Sequence, residues 1–207
     1  MVVFAFRNGL RWRQFVDEMV KAAMAKWPAV PACFGWLGLD ARGDWYLRDA
    51  AAQRAGCFQV AVAATAPHPA KGCRLMHVGL AAFIGRNYGP DGQGRWYFQN
   101  GPQRVFVELA VAPWVWRVDA YGRVQGHTGV DAQRVNCCLC DEFGRVYLDT
   151  DMGLGLVHSQ DVALVAMCID AGLWSPEPVR AADLPQRYGY VISPEMSDSL
   201  AQKNHPA

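Results

Sequence analysis

The sequence predicts an α+β protein. The expected core is an antiparallel, hairpin-rich, curled sheet, roll-like and built as one body or as two lobes dividing near residues 112–118, with two to three helices packed on it. Three observations predict this. Asp-x-x-Gly occurs four times, at Asp40–Gly43, Asp91–Gly94, Asp119–Gly122 and Asp141–Gly144, each followed by a strand-like run. Asp suits the first position of a type I turn, where its carboxylate accepts backbone N–H groups, and Gly at the fourth can take the positive φ that launches a return strand. Apolar and polar residues alternate with a strand period from 94 to 118. Helical periodicity is confined to the N-terminus, the middle and the region near the C-terminus, an order typical of α+β folds. The turn copies lie 51, 28 and 22 residues apart. A solenoid or propeller needs a constant period, so tandem repetition is rejected.

Residues 11–27 read as an amphipathic helix with Trp12, Phe15, Met19, Ala22 and Ala23 on its inner stripe, ended by Pro28 and Pro31. Residues 1–27 thus form an N-terminal helix or leader, and Met24 is an alternative start. The α+β domain spans 28–192. Its first hairpin covers 34–48, and 61–70, with Pro67 and Pro69, is a loop or linker. A helix over 76–88 turns Leu80, Phe83 and Ile84 inward and stops at Gly89-Pro90. Strands follow around 94–100, 103–109, 114–118, 123–127, 134–140 and 145–149, with turns at Asn100-Gly101-Pro102 and Ala112-Pro113. Ser159 is expected to cap a helix running to about residue 171, with Val162, Val165, Ala166 and Ile169 inward. A short strand is expected over 188–192, then a flexible polar tail over 193–207.

The runs Gly35-Trp36-Leu37-Gly38-Leu39-Asp40 and Arg95-Trp96-Tyr97-Phe98-Gln99-Asn100-Gly101-Pro102-Gln103-Arg104-Val105 resemble an uncharacterised bacterial family known only as a domain of unknown function. The likeness continues through Ala112-Pro113-Trp114-Val115-Trp116 and Gly144–Asp151 to Gly155–Ser159, spanning roughly 24–192. A looser likeness to a second such family rests on a Gly-x-Trp-Tyr hairpin followed by a helix, another hairpin and an Ala-Pro-aromatic strand. The resemblance implies a β-rich α+β protein with small roll-like lobes. It implies no reaction, cofactor or ligand, and it transfers no functional residue.

Composition narrows the function class. The chain has 207 residues, 52% hydrophobic and 19% charged, with a net charge of +1. Near-neutral charge argues against a broad nucleic-acid footprint, and no apolar run approaches the roughly 18 residues of a membrane span. The apolar N-terminus lacks the basic, apolar and cleavage regions of a signal peptide. Seven irregularly spaced Cys then read as reduced thiols of a cytoplasmic protein.

Candidate chemistry is sparse. His158, Ser159 and Asp161, after Asp149-Thr150-Asp151 and a glycine-rich loop, offer a general base beside a hydroxyl or a metal site. His127 completes a hypothetical metal set with Asp149 and His158. Each has a plainer reading: the aspartates and Ser159 shape a turn and cap a helix. Cys137-Cys138-Leu139-Cys140 lacks the paired Cys-x-x-Cys spacing of zinc sites and reads as small buried hydrophobes. Asn100, Gln103, Arg104 and Glu108 form a polar set around the second hairpin, where Arg104 can grip a carboxylate or phosphate; otherwise it pairs with Glu108. Tyr46, Tyr97 and Tyr147 fill one slot in three turn copies, opposite Trp45, Trp96 and Val146, with Arg95 and Arg145 on the tyrosine face.

The leading expectation is a non-enzymatic cytoplasmic ligand-binding or regulatory module for a small molecule or protein. It is expected to need no cofactor and to engage neither nucleic acid nor membrane. The alternatives are a hydrolase or metal-dependent enzyme using Asp149, Asp151 and His158, and a homo-oligomeric interaction protein.

Overall fold

All four Asp-x-x-Gly segments close β-hairpins. In each, the Asp carbonyl accepts the Gly N–H, and one carboxylate oxygen accepts two further backbone N–H groups, two and four residues on. The glycines take φ of 82°, 76°, 75° and 74°, which other residues adopt only with strain. The four aspartates are therefore turn formers.

A computed structural model describes residues 16–64 and 67–204. Two six-stranded sheets are present. Sheet A contains β1 (Cys33–Leu39), β2 (Trp45–Leu47), β3 (Cys73–Arg74), β4 (Tyr88–Pro90), β5 (Trp96–Asn100) and β6 (Gln103–Leu109), in the order β3-β2-β1-β6-β5-β4. Sheet B contains β7 (Trp114–Val118), β8 (Val124–Gly126), β9 (Val135–Asp141), β10 (Val146–Thr150), β11 (Gly153–Val157) and β12 (Pro176–Val179), in the order β12-β9-β10-β11-β7-β8. Each sheet holds two of the Asp-turn hairpins: β1–β2 and β4–β5 in one, β7–β8 and β9–β10 in the other.

Helices are α1 (Glu18–Lys26), α2 (Ala50–Arg54), α3 (Phe58–Ala63), α4 (Val78–Arg86), α5 (Val162–Asp170), α6 (Leu184–Tyr188) and α7 (Pro194–Asn204). The α+β class holds, and the chain passes from sheet A to sheet B between Leu109 and Trp114. Both sheets share one core, in which Leu39, Trp45, Trp96 and Val107 meet Trp114, Trp116, Tyr147 and Leu156.

Several details differ from expectation. The sheets are mixed, because β1 runs parallel to β6, β7 to β11 and β9 to β12. Long crossovers, rather than tight turns, bring these strands together. Seven α-helices among the described residues exceed the two or three expected; three are short segments of five or six residues. In α1, Val20 is buried and Met19 is exposed, with Val16 buried just before the helix, so the inner stripe is rotated from the one expected; Trp12 and Phe15 lie outside the described residues.

The glycine-rich stretch after Asp151 is strand β11. Gly155 pairs with Trp114, and a side chain there would collide with the Trp114 and Trp116 rings, so glycine is a packing requirement. Residues 188–192 form no strand: α6 ends at Gly189 in the left-handed region. Instead of a polar tail, Pro194 starts α7, whose Glu195 N–H donates to Glu108 Oε1 at 3.0 Å.

Candidate functional site

A polar concavity lies on sheet B, where hairpin β7–β8 meets the segment leading into β9. It encloses about 760 Å³ and is lined by Arg117, Arg123, Gln125, Asp131, Arg134 and Asp161, over an apolar floor that includes Val124 and Val135. That volume suits a ligand of small-molecule size.

Local folding sets each side chain. Strand alternation on β7 sends Trp116 and Val118 into the core and Arg117 outward. The Asp119 turn places Arg123 beside Asp119, its Nε 2.6 Å from Oδ2. Residues 130–132 fold back along β8, with Gly126 N donating to the Val130 carbonyl and Ala132 N to that of Val124. Gln125 Nε2 then reaches Asp131 Oδ1 at 2.8 Å. Asp161 comes from the single 3-10 turn Ser159–Asp161 after β11.

Hydrogen bonding in the groove is lopsided. The buried Asp161 carboxylate accepts Arg117 Nε at 2.5 Å, Arg117 Nη2 at 3.0 Å and the Val118 N–H at 3.1 Å. The Arg117 guanidinium, with the Val118 N–H, holds Asp161 below the usual carboxylate range. Asp119 accepts two backbone N–H groups and Arg123, and is lowered chiefly by the Arg123 N–H. Both acids therefore stay ionised at neutral pH. The guanidiniums keep donors to spare. Among the described residues, Arg117 turns only Nε and Nη2 to Asp161, Arg123 only its Nε edge to Asp119, and Arg134 only Nε to Asn136 Oδ1 at 2.9 Å. Three Arg and three Asp balance in charge. What the groove offers a ligand is thus an excess of planar N–H donors, rather than a strong net field.

The expected site residues are scattered. His158 is buried, and its Nδ1 accepts the Gln160 N–H at 3.2 Å. It caps the 3-10 turn, the role expected of Ser159, whose own side chain is exposed. Asp161 is committed to Arg117. His127 packs among Trp45, Tyr88 and Trp114, with ring centroids at 5.3, 5.8 and 5.6 Å. Its Nδ1 accepts the Val115 N–H at 3.3 Å, and its buried Nε2 faces the rings without a hydrogen-bond partner. Burial drives its pKa down to about 3, so it is a neutral packing residue. Asp149 accepts Asn136 Nδ2, and burial raises its pKa; Asp151 accepts the Gln133 and Arg134 N–H groups. Among the described residues, no three His, Cys, Asp or Glu side chains are grouped to hold a metal. All seven cysteines are free.

The polar set on the second hairpin also separates. Arg104 and Glu108 share a face of β6, but four residues of strand put them about 13 Å apart. The expected pair does not form. Arg104 lies 5.0 Å over the Tyr97 ring, Asn100 is exposed, and Gln103 Nε2 bonds the Pro31 carbonyl. Glu108 is 1% exposed and accepts Gln59 Nε2 and the Glu195 N–H. Burial raises its pKa against the pull of bonds from Ser193, Glu195 and Gln59. Next to this cluster, fully buried Arg48 donates to the carbonyls of Gly35, Ala70 and Gly56 and reaches Glu195 at 3.5 Å. The repeat tyrosines are buried as well.

The arginines of the groove went unsuspected in the sequence. The available signal was small: three turn copies carry Arg immediately after the Gly (Arg95, Arg123, Arg145), each clasping its own turn Asp. The first copy has Asp44 there, paired with Arg74.

No curated protein matches the chain. Two solved DUF1285 family proteins are similar in structure. One, from Shewanella baltica OS155, aligns with TM-score 0.42 and 13% identity over 64% of this chain and 91% of its own. The other, from Silicibacter pomeroyi DSS-3, gives 0.43 and 14% over 72% and 82%. A family model described as "Protein of unknown function (DUF2946)" matches residues 16–195. The match takes in both sheets and the start of α7, and the chain belongs to this uncharacterised DUF2944 family.

Proposed function

We propose that the protein is a non-enzymatic binding module whose sheet B groove takes a ligand bearing a carboxylate or phosphate. One observation carries this reading: the groove's aspartates are occupied by internal donors, while Arg117, Arg123 and Arg134, which line the same 760 Å³ space, keep N–H groups unused among the described residues. Planar guanidinium donors match the paired oxygens of such groups and form the stronger, charge-assisted hydrogen bonds. The side chains expected to do acid–base chemistry are instead engaged in caps, ion pairs and packing. The seven free thiols fit a reducing, cytoplasmic setting.

Thermal unfolding in phosphate, citrate or chloride at matched ionic strength tests the proposal. A ligand that binds only the folded state raises Tm with its concentration. Phosphate or citrate is expected to raise Tm over chloride, and the rise is expected to disappear in the Arg123→Gln/Arg134→Gln double variant. Equal Tm values in all three salts, or an unchanged rise in the double variant, overturn it.

A further inference from the structure

The groove does not end at its arginines. Gly122, in the β7–β8 turn, lines it, and the position of a side chain there runs into Leu173, with Cys168 Sγ 3.6 Å and Trp174 Cζ2 3.8 Å away. The end of α5 and the residues after it therefore abut the rim of the groove. Large apolar groups are left in solvent at this rim: Tyr121 is 84% exposed and Leu173 55%. The Arg123 guanidinium lies 5.7 Å from the Tyr121 ring, so the cationic and apolar parts meet. Apolar groups gathered beside unused hydrogen-bond donors mark an interaction surface better than either feature alone.

We propose that this face docks an acidic peptide segment of a partner protein, with one apolar side chain of that segment seated against Tyr121 and Leu173. The inference rests on the groove being the oxyanion site proposed above and names its ligand. Carboxylates of the segment meet the spare N–H donors of Arg123 and Arg134, and the apolar side chain covers the rim a few residues away. A free phosphate or small carboxylate fills only the arginine end and leaves the rim wet. The spare planar N–H donors of the guanidiniums, rather than a net charge, match the paired carboxylate oxygens of an acidic segment. The continuity of Gly122 with Leu173 selects one that also carries an anchor.

Fluorescence anisotropy of the full chain tests this with three labelled probes: an acidic peptide containing one central Leu, the same peptide with Leu replaced by Ser, and a basic peptide containing the Leu. The acidic Leu peptide is expected to bind at least tenfold more tightly than either control. Tyr121→Ser/Leu173→Ser, a change confined to exposed side chains, is expected to weaken it about tenfold and to leave the phosphate-induced Tm rise intact. Arg134→Gln is expected to weaken both. Equal binding of the Leu and Ser peptides, insensitivity to the rim variant, or competition by citrate at peptide-like concentrations overturns the docking inference. If phosphate still raises Tm in that case, the groove reading stands without it; if the phosphate effect is absent too, the groove reading has failed.

Discussion

Asp161 and Glu108 are both buried acids, and they behave in opposite ways. Asp161 closes the floor of the sheet B groove with a half-exposed guanidinium bound side-on, and its pKa falls. Glu108 sits on the outer face of sheet A beneath α7 with only neutral donors, a Gln amide, a Ser hydroxyl and a backbone N–H, and its pKa rises. One arginine makes the difference. Arg48, which reaches Glu195 beside Glu108, spends its other donors on three carbonyls. The first acid, backed by a partly solvated cation, lies at an open groove. The second, satisfied by neutral groups, belongs to a seal between elements.

The largest expected effect breaks the seal. Ending the chain after Ile192 removes Ser193 and Glu195, leaving Glu108 with only the Gln59 amide. Losing α7 also opens Glu108 to water, so the cost is that of the lost hydrogen bonds and packing, about 2–3 kcal/mol, and urea unfolding is expected to shift by that amount. An unchanged midpoint would mean that α7 contributes nothing to sheet A. Next comes Asp161→Asn, which loses the Arg117 ion pair and is expected to cost about 1–2 kcal/mol, the solvent exposure of Arg117 limiting the loss.

The two acids also separate by pH. With a lowered folded pKa, Asp161 contributes stability above its unfolded pKa and loses it as pH falls through the folded value. Glu108, with a raised folded pKa, contributes below its unfolded pKa and loses that contribution as pH rises through the folded value. Glu108→Gln is therefore expected to gain stability relative to the parent as pH rises above the ordinary carboxylate range; a difference that is flat in pH contradicts the assignment. The smallest effect belongs to Ser159→Ala. With the capping role at His158, it is expected to stay within about 0.5 kcal/mol of the parent. A loss near 1 kcal/mol, the usual value of a cap, would return the role to Ser159.

What the sequence made legible was local. The turns at Asp40, Asp91, Asp119 and Asp141 need nothing beyond five consecutive residues, and all four formed. Cys138 as a buried hydrophobe and Ile84 as an inward residue follow from short-range periodicity in the same way. Long-range pairing hid the rest. Gly155 looked like a loop residue because the rings that require it, Trp114 and Trp116, lie about 40 positions earlier. Arg117 and Arg134 share a groove only because β7 and the entry to β9 are neighbours in space. Glu108 was grouped with the polar set of the second hairpin because α7, which covers it, is too polar to announce itself as a packed helix.

That last dependence sets an order of events during synthesis. Sheet A is complete in sequence by Leu109, yet two of the three groups that satisfy its buried acid, Ser193 and Glu195, come after residue 190, once the whole of sheet B has been made. Leu109 N donates to the Ile192 carbonyl, Val191 N to that of Gly94, and Tyr190 Oη to that of Val111. A nascent chain leaving the ribosome therefore carries a first half whose backbone and side-chain demands are still open. The closing segment acts as a completion signal: a chain interrupted anywhere in sheet B holds an unfinished sheet A, open to chaperones and proteases.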